Sequence, residues 1–241
     1  TKPLALIAFR AHITTESGST RPSLLNQLRA STDKINAPYV VSSFVGNAGI
    51  ISFTPGRTLA VKCETHNHPS AIEPFGGANT GVGGVIRDIM GAQHTPIACT
   101  NILCFGPPDT DTLTLPEGVF PPRRTRDGVI DGIADYGNKI GLPTVAGAVL
   151  YDPGYTANPL VYAGCIGTSS SYVDQVVPQP RDRIVVLGGR TGRDGLRGAT
   201  FSSMTMDATT GDVSGASVQI GDPITEKLVI DVLADAQHLY R

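Results

Sequence analysis

The 241-residue chain has no tryptophan, aromatic residues at only 6 %, and four cysteines. No two of Cys63, Cys99, Cys104 and Cys165 stand as a Cys-x-x-Cys pair, so the spacing of a metal or dithiol motif is missing. Each lies in an apolar, strand-like run and reads as a small buried hydrophobe, which suits a reducing cytoplasm. Charge is sparse and balanced, at 17 % of residues with a formal net charge of -2. There is no basic block to bind nucleic acid and no basic amphipathic helix for a membrane surface. No apolar run approaches the ~18 residues that would cross a bilayer. The apolar stretch 4–9 is too short for a signal-peptide core and is ended by Arg10. What remains is the composition of an ordinary globular protein, long enough for one large domain or two modest ones.

The most informative run is Lys62-Cys63-Glu64-Thr65-His66-Asn67-His68-Pro69-Ser70, which follows apolar residues and is stopped by a proline. Read as a strand, it puts Lys62, Glu64, His66 and His68 on one face, each ~7 Å from the next, and Val61, Cys63 and Thr65 on the other. A cation, a carboxylate and imidazoles in a row suit a phosphate contact, a metal ligand and a proton acceptor. Taken alone, the same alternation also describes a strand with one wet face.

Beyond the proline, five glycines lie between Gly76 and Gly84. They read as a loop whose backbone can approach a ligand closely. Val82, Val85, Ile86, Ile89 and Met90 follow helical spacing, so the loop is expected to run into a helix whose first N–H groups attract anions. Asp88 falls near the C-terminal end of that helix, where a carboxylate opposes the dipole, and so invites a metal-ligand role.

Elsewhere, Leu24, Leu25 and Leu28 predict a short helix, and residues 40–53, 58–65, 96–105, 143–150 and 160–168 predict strands. Residues 106–124 hold five prolines and read as a long loop. Residues 125–141 read as a helix with Asp127, Asp131, Asp135 and Lys139 on a solvated face, Asp135 supported by Lys139. His12, His94 and His238 are expected at the surface. Residues 169–182 read as a domain boundary, giving a first domain over 1–170 and the incomplete opening of a second over 183–241, with a buried strand at 184–187. Residues 188–195 resemble a phosphate-binding nest without the Lys-Ser/Thr of a P-loop. Asp222 followed by Pro223 is a helix start, with Ile224, Leu228, Val229, Val232, Leu233 and Ala236 as its apolar stripe.

The stretches Glu64–Ala71, Gly81–Asp88, Ala134–Val145 and Gly188–Gly195, followed by Gly198-Ala199-Thr200-Phe201 and Gln219-Ile220-Gly221-Asp222-Pro223, stand in an order that resembles phosphoribosylformylglycinamidine synthase, the large synthetase subunit of purine biosynthesis. The resemblance covers roughly residues 40–241. It implies an α+β fold: an aminoimidazole ribotide synthetase-like N-terminal domain with a mixed sheet and helices, then the start of a second α/β domain. It implies an ATP-dependent carbon–nitrogen ligase that converts formylglycinamide ribotide to formylglycinamidine ribotide with glutamine-derived ammonia. By the same resemblance Glu64 and Asp88 hold Mg2+, Lys62 contacts ATP, and His66 is the proton acceptor. Thr65, Asn67, His68, Arg87 and Gln219 contact the substrate. The implied partners are these small molecules, a glutaminase domain or subunit, and a second such unit in a homodimer or pseudo-dimer. The family carries a His-Cys segment near the start of this domain, whereas residues 4–7 contain neither residue type. A sister ATP-dependent synthetase, and a non-catalytic or incomplete copy, stay open as alternatives.

Overall fold

In the computed structural model the residues described are 13–14, 20–173, 177–190, 192–193, 195–196, 198, 204–211 and 217–235. The alternating stretch before Pro69 forms a strand, β5 (Arg57–Thr65), at the centre of a six-stranded mixed sheet. Two very short strands, β1 (Ile13–Thr14) and β2 (Thr20–Arg21), pair separately. They lead into α1 (Leu24–Ile35), capped by the Ser23 hydroxyl and closed by Asn36 in the left-handed region. The leucines here predict a short helix; the helix has 12 residues and buries none of them.

The run 40–53 is two strands rather than one. β3 (Val40–Ser42) and β4 (Gly49–Thr54) are separated by a bend in which Phe44 has φ 59°. Pro55-Gly56 then turns β4 back into β5, with Gly56 at φ 75°. The remaining strands are β6 (Thr95–Phe105), β7 (Thr144–Tyr151) and β8 (Leu160–Ser169). The order is β3-β4-β5-β8-β6-β7, antiparallel throughout except for β6 and β7. That parallel pair needs a crossover, and α4 (Pro122–Ile140) supplies it.

One face of the sheet is covered by helices. α2 (Asn67–Ile72) and α3 (Pro74–Gly91) follow β5 directly, and α3 lies against β5 and β8. Val82, Val85, Ile86 and Ile89 of α3 pack with Ala60, Cys99, Ala163 and Cys165 of the strands and with Tyr136 and Ile140 of α4. Among the described residues nothing covers the opposite face, which is apolar: Phe53, Val61, Ile102 and Leu150 are all exposed there. Cys63 lies on this bare face and is exposed, contrary to the expectation for a cysteine in an apolar run; Cys99, Cys104 and Cys165 are buried. Alternation placed Cys63 opposite Lys62 and Glu64, and it is the polar side of β5 that turns inward to the helices.

Four further expectations change. The glycine-rich stretch is not a loop: residues 76–84 lie inside α3, where the glycines serve helix packing. His94 is buried, not at the surface, with Nδ1 2.6 Å from the Ala92 carbonyl and Nε2 2.9 Å from the Thr58 hydroxyl. Residues 184–187 form no strand, and Ile184 and Val186 are almost fully exposed, because no described strand pairs with them. α5 (Pro223–Asp235) begins as expected, with Asp222 accepting from the Ile224 and Thr225 amides. Of the expected stripe, however, Ile224, Leu228 and Val232 are exposed, Val229 and Leu233 are half-buried, and Ala236 lies outside the described residues; the buried residues are Pro223, Glu226 and Ile230. Of the remaining expected features, Lys139 pairs with Asp135 at 2.7 Å. His12, His238, Ala199, Thr200 and Phe201 lie outside the described residues. Among the described residues no helix is long and apolar enough to cross a membrane.

Candidate active site

Lys62 and Glu64 project from β5 toward α3, as the strand period requires. The Lys62 ammonium lies 2.9 Å from the Asp88 carboxylate in the last turn of α3, each side chain about a quarter exposed. This contact fixes the end of α3 over the polar face of β5 and brings two of the expected residues, Lys62 and Asp88, together.

His66 does not continue the strand. Its amide donates to the Val161 carbonyl at 2.8 Å, and the residue then caps α2. Its ring packs against α3 at Gly81, where an added methyl group would stand 3.0 Å from the His66 Cβ and 3.2 Å from its ring. Burial holds the imidazole below its ordinary value of 6.5, opposed by the Glu64 charge and the Gly77 carbonyl and assisted by Arg87. The buried Nδ1 has no hydrogen bond of ordinary geometry. Near Gly84, Glu64 Oε2 and Arg87 Nη2 lie 3.8 and 3.9 Å from where a side chain would begin. Glu64, His66, Arg87, Asp88 and Lys62 therefore surround one stretch of α3.

Arg87 is tied on its other side. Nη1 donates to Glu226 Oε2 of α5 at 2.6 Å, and the Tyr136 hydroxyl of α4 donates to the same oxygen at 2.7 Å. Burial works against the charge on Arg87, but Glu226 and Tyr136 together more than offset it and the net shift is upward. Gly83 makes room for this triangle, since a side chain there would fall on the Tyr136 ring and hydroxyl.

The other expected contacts are placed differently. Thr65 points to the bare face of the sheet, away from Lys62 and Glu64. The Asn67 side chain accepts from the Val161 amide at 2.9 Å. His68, expected in line with His66, sits in α2 instead, because the strand has ended; it is buried, with Nε2 2.9 Å from the Met204 carbonyl. Gln219 is exposed, and its carbonyl accepts from Thr80 of α3 at 2.5 Å. Tyr136 and Glu226 were not legible as site neighbours. Tyr136 enters the sequence reading only within the stretch Ala134–Val145, and Glu226 sits beside Ile224 and Leu228, whose spacing points to another face of α5.

Glu64 and Asp88 are hard oxygen donors, and Asp88 is paired with Lys62. That set fits a magnesium ion that takes its other ligands from phosphate oxygens and water. Among the described residues no cluster of three or more His, Cys, Asp or Glu side chains gathers.

Residues 45–169 match the family described as AIR synthase related protein, N-terminal domain. The chain belongs to this AIR synthase related family. It is 44 % identical over 197 residues to phosphoribosylformylglycinamidine synthase subunit PurL of Picrophilus torridus, covering 80 % of this chain and 26 % of that protein. A structure of Thermotoga maritima PurL complexed with FGAR matches with a TM-score of 0.67 and 38 % identity over 88 % of this chain and 32 % of that one. Thermotoga maritima PurL complexed with ATP matches with a TM-score of 0.61 and 32 % identity, covering 90 % and 33 %. The chain thus spans about a quarter of the curated relative and a third of the solved chains.

Proposed function

We propose that this chain carries the synthetase site of a phosphoribosylformylglycinamidine synthase, converting formylglycinamide ribotide to the amidine with ATP and glutamine-derived ammonia. One observation carries the reading: Lys62, Glu64, His66, Arg87 and Asp88 are gathered around α3 by the Lys62–Asp88 contact and the glycines beneath them. Lys62 contacts the phosphates of ATP and exchanges Asp88 for them. Arg87 offers its exposed edge to an anionic group of the substrate, a geometry in which two parallel hydrogen bonds can form. Glu64 and Asp88 hold magnesium, which supplies charge neutralisation on the phosphates. His66, kept neutral near pH 7 by burial, is free to accept a proton from the attacking nitrogen.

Asn67 and His68 take substrate contacts through the backbone of the α2 turn that their side chains fix, and Thr65 does so through its own backbone. Gln219 presents its exposed side chain from a segment anchored by Thr80. Ammonia arrives from a glutaminase domain or subunit. Residues 183–241 open a second α/β unit, whose growth covers the exposed apolar residues of α5. The bare apolar face of the sheet pairs with a second sheet of the same kind, in a homodimer or pseudo-dimer. The free thiols suit a cytoplasmic location. The test is ADP release by the complete protein with formylglycinamide ribotide, ATP, magnesium and ammonium. Release that depends on this substrate supports the reading. Release driven by the substrate of a sister synthetase instead, or none with any substrate, refutes it.

A further inference from the structure

Glu226 is a carboxylate where α5 would be expected to bury a hydrophobe. Its neighbours along the same helix face, Pro223 and Ile230, are apolar and buried, and the Glu226 side chain is itself only 6 % exposed. One of its oxygens receives both Arg87 and Tyr136; the other, Oε1, is buried with no hydrogen-bond partner. Burying a carboxylate in this way is costly, and a packed hydrophobe of similar volume is commonly no less stable. Stability alone therefore gives a weak reason for a glutamate here.

The geometry gives a better one. Arg87 keeps a side-chain exposure of 42 % although Nη1 is held at 2.6 Å. The guanidinium is planar and its donors are fixed relative to one another, so clamping one edge sets the direction of the others. Nη2 is then directed over Gly84, the same bare stretch of α3 that Glu64 Oε2 overlooks. We propose that Glu226 and Tyr136 are positioning residues that hold one edge of Arg87 so that the other is set for the anionic group of the substrate. The inference rests on the reading of Arg87 as a substrate contact.

A consequence follows from where Glu226 lies. It stands 139 residues after Arg87, on the segment that also carries Gln219, and that segment is seated on α3 by the Thr80–Gln219 hydrogen bond. Gly221 lies flat against Tyr136, where a side chain would approach the ring to 2.8 Å. Docking of residues 219–226 thus sets the orientation of Arg87 and the place of Gln219 together. Substrate affinity is coupled to the seating of that segment, while Lys62 and the nucleotide are not.

Steady-state kinetics of the complete enzyme with Glu226→Gln, Tyr136→Phe, Arg87→Gln and the Arg87→Gln/Glu226→Gln double variant test this. Losing a charged partner that orients a ligand contact should raise the KM for formylglycinamide ribotide about tenfold in Glu226→Gln. The KM for ATP should stay within about twofold. Tyr136→Phe, which removes one hydroxyl and no volume, should show a smaller rise of the same selective kind. The double variant should be no worse than Arg87→Gln, because both act through one contact. A merely structural role would lower the folded fraction, measured by circular dichroism, and leave both KM values unchanged. That result in Glu226→Gln and Tyr136→Phe, with a raised substrate KM in Arg87→Gln, overturns the positioning role alone. An unchanged substrate KM in Arg87→Gln overturns the reading of Arg87, and the positioning role with it.

Discussion

The Lys62 ammonium and the Asp88 carboxylate meet at 2.9 Å across the gap between β5 and the last turn of α3. The pair joins the two elements that carry the candidate chemistry, and it places Asp88 where the helix dipole disfavours a carboxylate. Both side chains remain partly exposed, so the ion pair should contribute less than about 1 kcal/mol to folding. Asp88→Asn should therefore leave the urea midpoint nearly unchanged while turnover falls at least about 100-fold. A large loss of stability with proportionate loss of turnover would mark the pair as structural.

Glu64 and Asp88 should act on one ion. Glu64→Gln and Asp88→Asn should each raise the magnesium concentration needed for half-maximal rate. Their combination should cost less than the sum of the single effects, since neighbouring groups that share a partner are not additive. Titration of activity against magnesium reads this directly. An unaltered requirement in both single variants would contradict the assignment.

Gly83 should tolerate no side chain. A methyl group there would stand on the Tyr136 ring and 2.9 Å from Arg87 Nη1. Overpacking of this kind costs about 1–3 kcal/mol, so Gly83→Ala should lower the denaturation midpoint and weaken substrate binding together. Gly46, which has open space around it, serves as the control and should accept alanine without either effect.

His94 should make the fold sensitive to mild acid. Burial lowers its pKa from the ordinary 6.5, with the Ala92 carbonyl opposing. The unfolded chain then binds a proton more readily than the folded one, so the contribution of the neutral ring is complete above about pH 6.5. It is lost as pH falls from there toward the lower folded value. The difference in urea midpoint between pH 7.5 and 5.5 should shrink in His94→Gln relative to the parent chain. An equal difference would show that His94 titrates alike in both states.

The sheet was legible where period and punctuation agreed. β5, β6, β7 and β8 follow from alternation or continuous apolar runs between prolines and glycines, and α4 and the Asp222 cap follow from helical spacing. The misreadings share a cause. Glycines at positions 76–84 look like a loop because local propensity disfavours a helix there. Contact with His66 and Tyr136 overrides that preference, and those neighbours are distant or on another element. Of the expected stripe on α5, Ile224, Leu228 and Val232 are exposed while Val229 and Leu233 are half-buried, because the triangle of Glu226, Arg87 and Tyr136 sets which side of the helix faces in. A buried carboxylate bonded through one oxygen to residues 90 and 139 positions away leaves no periodic signal. The candidate residues on β5 stand out because they are sequential; His68 departs from the expected row because the strand ends at Thr65.

On our proposal, His66 serves as the proton acceptor in an ammonia-dependent synthetase step. The most direct test of that role is the rate of the complete enzyme with His66→Ala, supplied with formylglycinamide ribotide, ATP, magnesium and ammonium. Turnover should fall by about 10²–10⁴-fold with the ATP KM little changed. In the parent enzyme, the rate should rise with pH through a pKa below 6.5, as burial of the ring requires. Parent-level turnover in the alanine variant would contradict it.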